Sequence, residues 1–289
     1  MNKEFEFLEI INKIIPNEFL GNDCACLNEY NLAISQDSLI EDVHFSLKYM
    51  TPYEIAVKSL LVNISDILAS GACAKYFSIA LSGNLNNFFI EEFYKGLNDV
   101  SKEYNLQLIG GDLTKSDKIM VSICVFGDYK NRKISSRYNA KNGYVLAVYG
   151  EFGSSAQGLF NLQNEIEDDY FIKIHKKPIL YPEISSLIAE ISEFPYAMMD
   201  SSDGLFDCLY QISLKSKVKI EFDYSKIPHK TTNKDFVLYG GEDYCLVMAL
   251  DERDFKKIEG LTKIGEVKSG EGVYMNGLRL EYNGFKHFD

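Results

Sequence analysis

No run of about 18 apolar residues, the length a helix needs to cross a bilayer, occurs in the 289-residue chain, so no transmembrane segment is predicted. The opening stretch MNKEFEFLEIINKII lacks the order of a signal peptide. Phe5, Leu8, Ile11 and Ile15 recur there at helical spacing with Glu4, Glu6 and Glu9 between them, which predicts an amphipathic helix. We expect a soluble, cytoplasmic protein with no membrane partner. Arginine is scarce: Arg132, Arg137, Arg253 and Arg279 are the only four among 30 basic residues, against 42 acidic ones, for a net charge of −12. Such a surplus repels nucleic acid and anionic lipid, which argues against both as partners. An anionic ligand would then need metal cations between itself and the protein.

Several motifs are also missing. Without G-x-x-x-x-G-K-[ST] or G-x-G-x-x-G, neither a P-loop nucleotidase nor a Rossmann dehydrogenase is supported. Without G-x-S-x-G there is no nucleophile elbow. No C-x-x-C pair accompanies Cys24 and Cys26, and no histidine stands at zinc spacing from them. Cys73, Cys124, Cys208 and Cys245 lie far apart, and most of the six read as small apolar residues of a reducing compartment.

What is present is ordinary for a globular protein: 46% apolar and 25% charged residues. The length predicts two domains or one large one, able to bury about three quarters of its unfolded surface without disulfides. Apolar runs at 32–35, 76–81, 106–109 and 119–126 read as strands. Between them, Thr51 and Glu54 form a capping box with Pro52 at the first turn of a helix that stops at Gly71, and 87–104 carries a second amphipathic pattern. The polar, basic stretch 128–143 has no periodicity, so the boundary is placed near residue 135, giving domains 1–135 and 136–289. Strands follow at 144–149, 197–199, 219–222 and 244–250, with two helices expected between the first two. An Asn276-Gly277 turn predicts a terminal hairpin. The class is α+β in two α/β domains.

The acids are the informative residues. Asp37 and Asp112 follow apolar strands, Asp200 abuts one, Asp23 follows a glycine turn, and Asp66 sits in a largely apolar helix. Gathered carboxylates repel one another unless a divalent cation neutralises them, and Mg²⁺ suits oxygen ligands and phosphates best. Each strand-end aspartate has a plainer reading as a turn or helix-capping residue. Asp66 is harder to read that way, because an unpartnered carboxylate in such a helix would cost several kcal/mol. His44, shortly after Asp37, is the best-placed histidine, with a structural hydrogen-bonding role as its alternative. His175, His229 and His287 have no motif around them. The residues alone thus reach a metal-dependent phosphate enzyme.

Taken in order, GNDCACL from Gly21, SQDSLIEDVHF from Ser35, LVNISDILASGA from Leu61, QLIGGDLT from Gln107, DSSDGL from Asp200 and GGEDY from Gly240 are more specific than any one. Together they resemble the thiamine-monophosphate kinase family, within the ATP-binding group typified by aminoimidazole ribonucleotide synthetase. The match runs from Gly21 to the terminal NGFKHF. It implies two α/β domains, with the N-terminal sheet pairing across a homodimer, and ATP held in a cleft by several Mg²⁺ ions. It implies ATP-dependent phosphorylation of thiamine monophosphate to thiamine diphosphate by direct in-line transfer, the last step of thiamine diphosphate biosynthesis, with no general base and no covalent nucleophile. Carried over by position, Asp23, Ser35, Gln36, Asp37, Asp66, Asp112, Asp200 and Asp203 would meet the metal ions. Gly111, Asp112, Arg137 and Ser202 would contact ATP, and His44, Glu242 and Tyr282 the acceptor.

Three departures from the family pattern stand out: Asn22 in place of the first of two adjacent aspartates, Gln36 in place of threonine, and Tyr282 in place of tryptophan in a chain with none. The alternatives are another ATP-using relative of the same fold, such as an aminoimidazole ribonucleotide synthetase, or a non-catalytic nucleotide-binding regulator.

Overall fold

The computed structural model of the chain describes residues 3–282 apart from Leu20 and Asn131, so NGFKHF and His287 lie outside the described residues, as does the side chain of Phe5. Helix α1 (Lys3–Ile14) forms as its spacing predicts, but its described apolar side chains stay exposed, Ile11 at 47% and Ile14 at 73%.

The first sheet contains β1 (Ala25–Leu27), β2 (Leu32–Ile40), β3 (Cys73–Ser82), β4 (Gln107–Thr114) and β5 (Met120–Asp128), in the order β1-β2-β5-β3-β4. Only the β3–β4 pair is parallel. Helices α2 (Pro52–Ala69) and α3 (Asn87–Glu103) pack on it and on each other. The capping box starts α2 where the sequence predicts: the Thr51 hydroxyl accepts from the Glu54 N–H at 3.3 Å, and the Glu54 carboxylate accepts from the Thr51 N–H at 2.8 Å. Apolar on most sides, α2 is buried on most sides, with every residue from 55 to 69 buried except Asp66, which is half-buried.

The second sheet holds β6 (Val145–Tyr149), β7 (Ala197–Asp200), β8 (Lys219–Phe222), β9 (Leu246–Leu250), β10 (Thr262–Lys268), β11 (Gly272–Met275) and β12 (Leu278–Leu280), in the order β12-β11-β8-β10-β6-β9-β7. Around it lie α4 (Ser154–Gln163), α5 (Asp169–Lys176), α6 (Pro182–Ile191), α7 (Leu205–Ser216), α8 (Lys234–Tyr239) and α9 (Glu252–Phe255). The fold is α+β. Helix α2 also touches β7, α5 and α6, so one buried helix joins both sheets. Asn276 and Gly277 both adopt positive φ, at 49° and 83°, as the tight hairpin between β11 and β12 requires.

Some expectations change. Asp37 and Asp112 lie inside β2 and β4 rather than beyond them, because the ladders continue: Asp37 pairs with Ile123 and Asp112 with Ala80. Three helices, not two, separate β6 from β7, since α5 and α6 are distinct and Pro182 opens the latter. Strand β10 carries only a weak alternating pattern and escapes sequence reading. All six cysteines are unpaired.

Candidate functional site

Three carboxylates from three different elements converge. Asp23 precedes β1, Asp66 projects from α2 and Asp200 ends β7, and one oxygen of each lies within 4.8 Å of the others. Burial raises Asp66 well above the usual carboxylate range, and Asp37, Asp200 and Asp23 push it the same way. Burial, with Asp23 next, raises Asp200 to about 8. Asp37 is raised by burial and by Asp203 and Asp23, which sets all five acids in one electrostatic neighbourhood.

Ser65 donates to one oxygen of Asp200, while the other, Oδ1, is buried without a hydrogen-bond partner among the described residues. An orphaned buried carboxylate oxygen beside two more acids fits a hard divalent cation, which would supply the missing charge. Arg137 supplies part of it, its Nη2 lying 2.7 Å from Asp23 Oδ1.

The positions around the trio follow from local structure. Alternation along β2 turns Ser35, Asp37 and Leu39 to the helix side, where the Asp37 N–H donates to Asn63 Oδ1 at 2.9 Å and the Ser35 hydroxyl donates to the Asn63 carbonyl at 3.1 Å. The same alternation carries the Gln36 side chain to the opposite face, where its amide donates to Ser122 Oγ at 3.2 Å. The Gln36 side chain is therefore not brought to the acids. Asn22 is turned away too, its Oδ1 accepting from the Arg137 N–H and the Ser136 hydroxyl, both at 3.0 Å. Gly111 and Asp112 lie on the exposed edge strand β4, outside the trio; Asp112 accepts from Thr114 Oγ1 at 3.0 Å. A Cβ on Gly111 would lie 1.9 Å from the Ile79 carbonyl oxygen, so only glycine fits there.

A cleft of about 880 Å³ is lined by Asp37, His44, Ser202, Asp203, Tyr239 and Glu242. The DSSDGL and GGED loops meet along it: a Cβ on Gly241 would lie 2.6 Å from the Ser202 carbonyl oxygen, and the Glu242 N–H donates to that carbonyl at 2.7 Å. His44 Nδ1 accepts from the Ile40 N–H at 3.0 Å, so the neutral ring carries its proton on Nε2, which is a donor. Tyr282 does not line the cleft. Its ring packs against Tyr210 and Phe206, with centroids 4.6 and 6.2 Å away, and its hydroxyl donates to Asp207 Oδ1 at 3.0 Å. Phe206 in turn meets Tyr239 at 5.4 Å, so Tyr239 is the ring of that stack that reaches the cleft.

Sequence reasoning missed two buried groups beside Glu242. Lys58 is fully buried with Nζ 3.0 Å from Glu242 Oε1, and His175 lies 3.6 Å from Glu242 Oε2. Burial alone would raise Glu242, but the Lys58 ammonium outweighs it and holds the carboxyl below its usual range. Burial, helped by Lys58, lowers His175 to about 4, so its imidazole is neutral at neutral pH. The available signal was a lysine inside a helix otherwise apolar enough to be buried.

Comparison with known proteins places the chain in a family. Residues 21–128 match the model of AIR synthase related protein, N-terminal domain. The thiamine-monophosphate kinase of Aquifex aeolicus is 31% identical over 99% of this chain and 98% of its own. That of Bacillus subtilis is 34% identical over 87% of this chain and 86% of its own. A solved structure described as AaThiL complexed with AMPPCP and TMP superposes with a TM-score of 0.91 at 30% identity, covering 99% of this chain and 97% of the other. With near-complete coverage on both sides at that identity, the chain belongs to the thiamine-monophosphate kinase family.

Proposed function

We propose that the chain transfers the γ-phosphoryl group of ATP to thiamine monophosphate, giving ADP and thiamine diphosphate. The observation that carries this reading is the Asp23–Asp66–Asp200 trio beside a cleft lined by Asp37, Asp203 and Glu242, in a chain that covers almost the whole of its kinase relatives. The relative solved with AMPPCP and TMP supports the same pair of substrates.

The residues suit the reaction. Asp23, Asp37, Asp66, Asp200 and Asp203 would hold Mg²⁺, with Ser35 and the backbone of Gln36 nearby. Bound there, the ions would neutralise the crowded phosphates, whose mutual repulsion otherwise opposes transfer. Arg137 and Ser202 would grip ATP, while His44 and Glu242 would receive the acceptor. The second pKa of a phosphate monoester is about 6, so the acceptor oxygen is already anionic at neutral pH and needs no general base. Catalysis is then positioning and charge neutralisation.

We assign residues 1–135 to the ATP and Mg²⁺ half and 136–289 to the half that completes the cleft. The exposed edge strand β4, with Leu108, Ile109 and Leu113 outward, is the surface on which a homodimer would form, and Gly111 and Asp112 on it would join the ATP site in that assembly. No helix among the described residues is long and apolar enough to cross a membrane; a cytoplasmic location remains part of this proposal. Coupled ADP release with thiamine monophosphate and Mg²⁺ tests the reading. Turnover of unphosphorylated thiamine at a matching rate would overturn it, and no ADP release at all would favour a nucleotide-binding regulator.

A further inference from the structure

We infer that Lys58 is a positioning residue for the acceptor: it anchors Glu242 from behind, so that a fixed carboxylate faces the cleft and accepts from the amino group of the acceptor's aminopyrimidine ring. The inference rests on the proposed kinase reading and names how that site recognises the half of the acceptor remote from its phosphate.

The geometry is one-sided. Lys58 approaches from buried α2 and reaches both carboxylate oxygens of Glu242, each at 3.0 Å, while the Glu242 side chain keeps 26% of its surface exposed. Each carboxylate oxygen has two lone pairs, so bonds from behind leave acceptor capacity toward the cleft that Glu242 lines with His44. On the ammonium's remaining side, His175 Nε2 lies 3.5 Å away, and His175 Nδ1 is 3.0 Å from Ser155 Oγ. A lysine only donates, so Nε2 faces it as an acceptor and Nδ1 carries the imidazole proton.

The backbone adds a second restraint. Glu242 adopts φ 64°, a left-handed conformation unfavourable for a side chain of its kind. It is held there by its own N–H on Ser202 and by Asp243, whose carboxylate accepts from the Gly153 and Ser155 N–H groups at the start of α4. With main chain and side chain both fixed, the direction of the carboxylate is set before any ligand arrives. A preorganised carboxylate accepts from that amino group without the loss of side-chain freedom that a mobile glutamate would suffer.

The test is a double-mutant cycle in steady-state kinetics with the full chain, using Lys58→Met, Glu242→Gln and the pair together. Lys58→Met should raise the Michaelis constant for thiamine monophosphate about tenfold, equivalent to about 1.4 kcal/mol, while that for ATP moves less than about twofold. Because Lys58 acts through Glu242, the double variant should be no worse toward thiamine monophosphate than Glu242→Gln alone. If Lys58→Met does not fold, with an unpaired carboxylate left inside, the double variant compared with Glu242→Gln still decides. Additive losses, or equal rises for both substrates, would overturn the inference and leave the kinase reading standing. Absence of turnover by the unchanged protein would overturn the kinase reading itself.

Discussion

Nη2 of Arg137 lies 2.7 Å from Oδ1 of Asp23, and both side chains are largely buried. The pair ties the connection between the sheets to the loop before β1, and Asn22 reinforces it by accepting the Arg137 N–H. The guanidinium also opposes the upward pull on Asp66, Asp200 and Asp207. It is thus both a structural clamp and a counter-charge.

Arg137→Lys keeps the charge and loses the fork. Nε of Arg137 is buried without a partner among the described residues. A lysine cannot bind carboxylate and phosphate bidentately from one plane. The Michaelis constant for ATP should rise about tenfold, or about 1.4 kcal/mol; an unchanged ATP dependence would remove Arg137 from the nucleotide site.

Asp66→Asn should move stability and activity in opposite directions. Removing one of three converging acids relieves repulsion, so the metal-free variant should melt higher than the unchanged protein by about 1 kcal/mol or more. Activity should fall by orders of magnitude, and the stabilisation that millimolar Mg²⁺ confers by mass action should shrink. Melts with Mg²⁺ and with chelator measure all of this. A variant that melts lower yet stays fully active would make Asp66 purely structural.

Acid should destabilise the protein through His175. Its folded pKa, about 4, lies below the ordinary 6.5, so between these values the unfolded chain binds the proton and the fold does not. This contribution is complete above about pH 6.5 and is lost as the pH falls toward 4, up to about 3 kcal/mol in all. Chemical denaturation across that window should show His175→Gln losing less stability than the unchanged protein. Parallel profiles would count against it.

Tyr239 and Tyr282 should separate ligand contact from packing. Tyr282→Phe removes one hydroxyl bond to Asp207 and should destabilise by about 1 kcal/mol, with both Michaelis constants nearly unchanged. Tyr239→Ala opens the cleft wall and should raise the constant for thiamine monophosphate several-fold, consistent with a cation–π contribution of ~0.5–2 kcal/mol. If Tyr282→Ala gives the larger, acceptor-selective loss, the expectation from the family pattern is right and the ring stack has been misassigned.

The amino-acid order by itself determined the α+β class, the capping-box start of α2 and the Asn276-Gly277 hairpin, because each rests on neighbours a few residues apart. Asp66 was legible for the same reason, as a charge in an apolar helix. What the tertiary structure decided were relations between distant segments. Strand alternation turned Asp37 inward and Gln36 outward, a one-residue difference that only the register of β2 on β5 resolves. Asn22 found its partners, Ser136 and Arg137, 114 and 115 positions away. Lys58 meets Glu242 across 184 residues, and nothing local to either announces the other. Burial converts such encounters into fixed charges and shifted proton affinities, since a charge removed from water must find its counterpart wherever the fold has placed it.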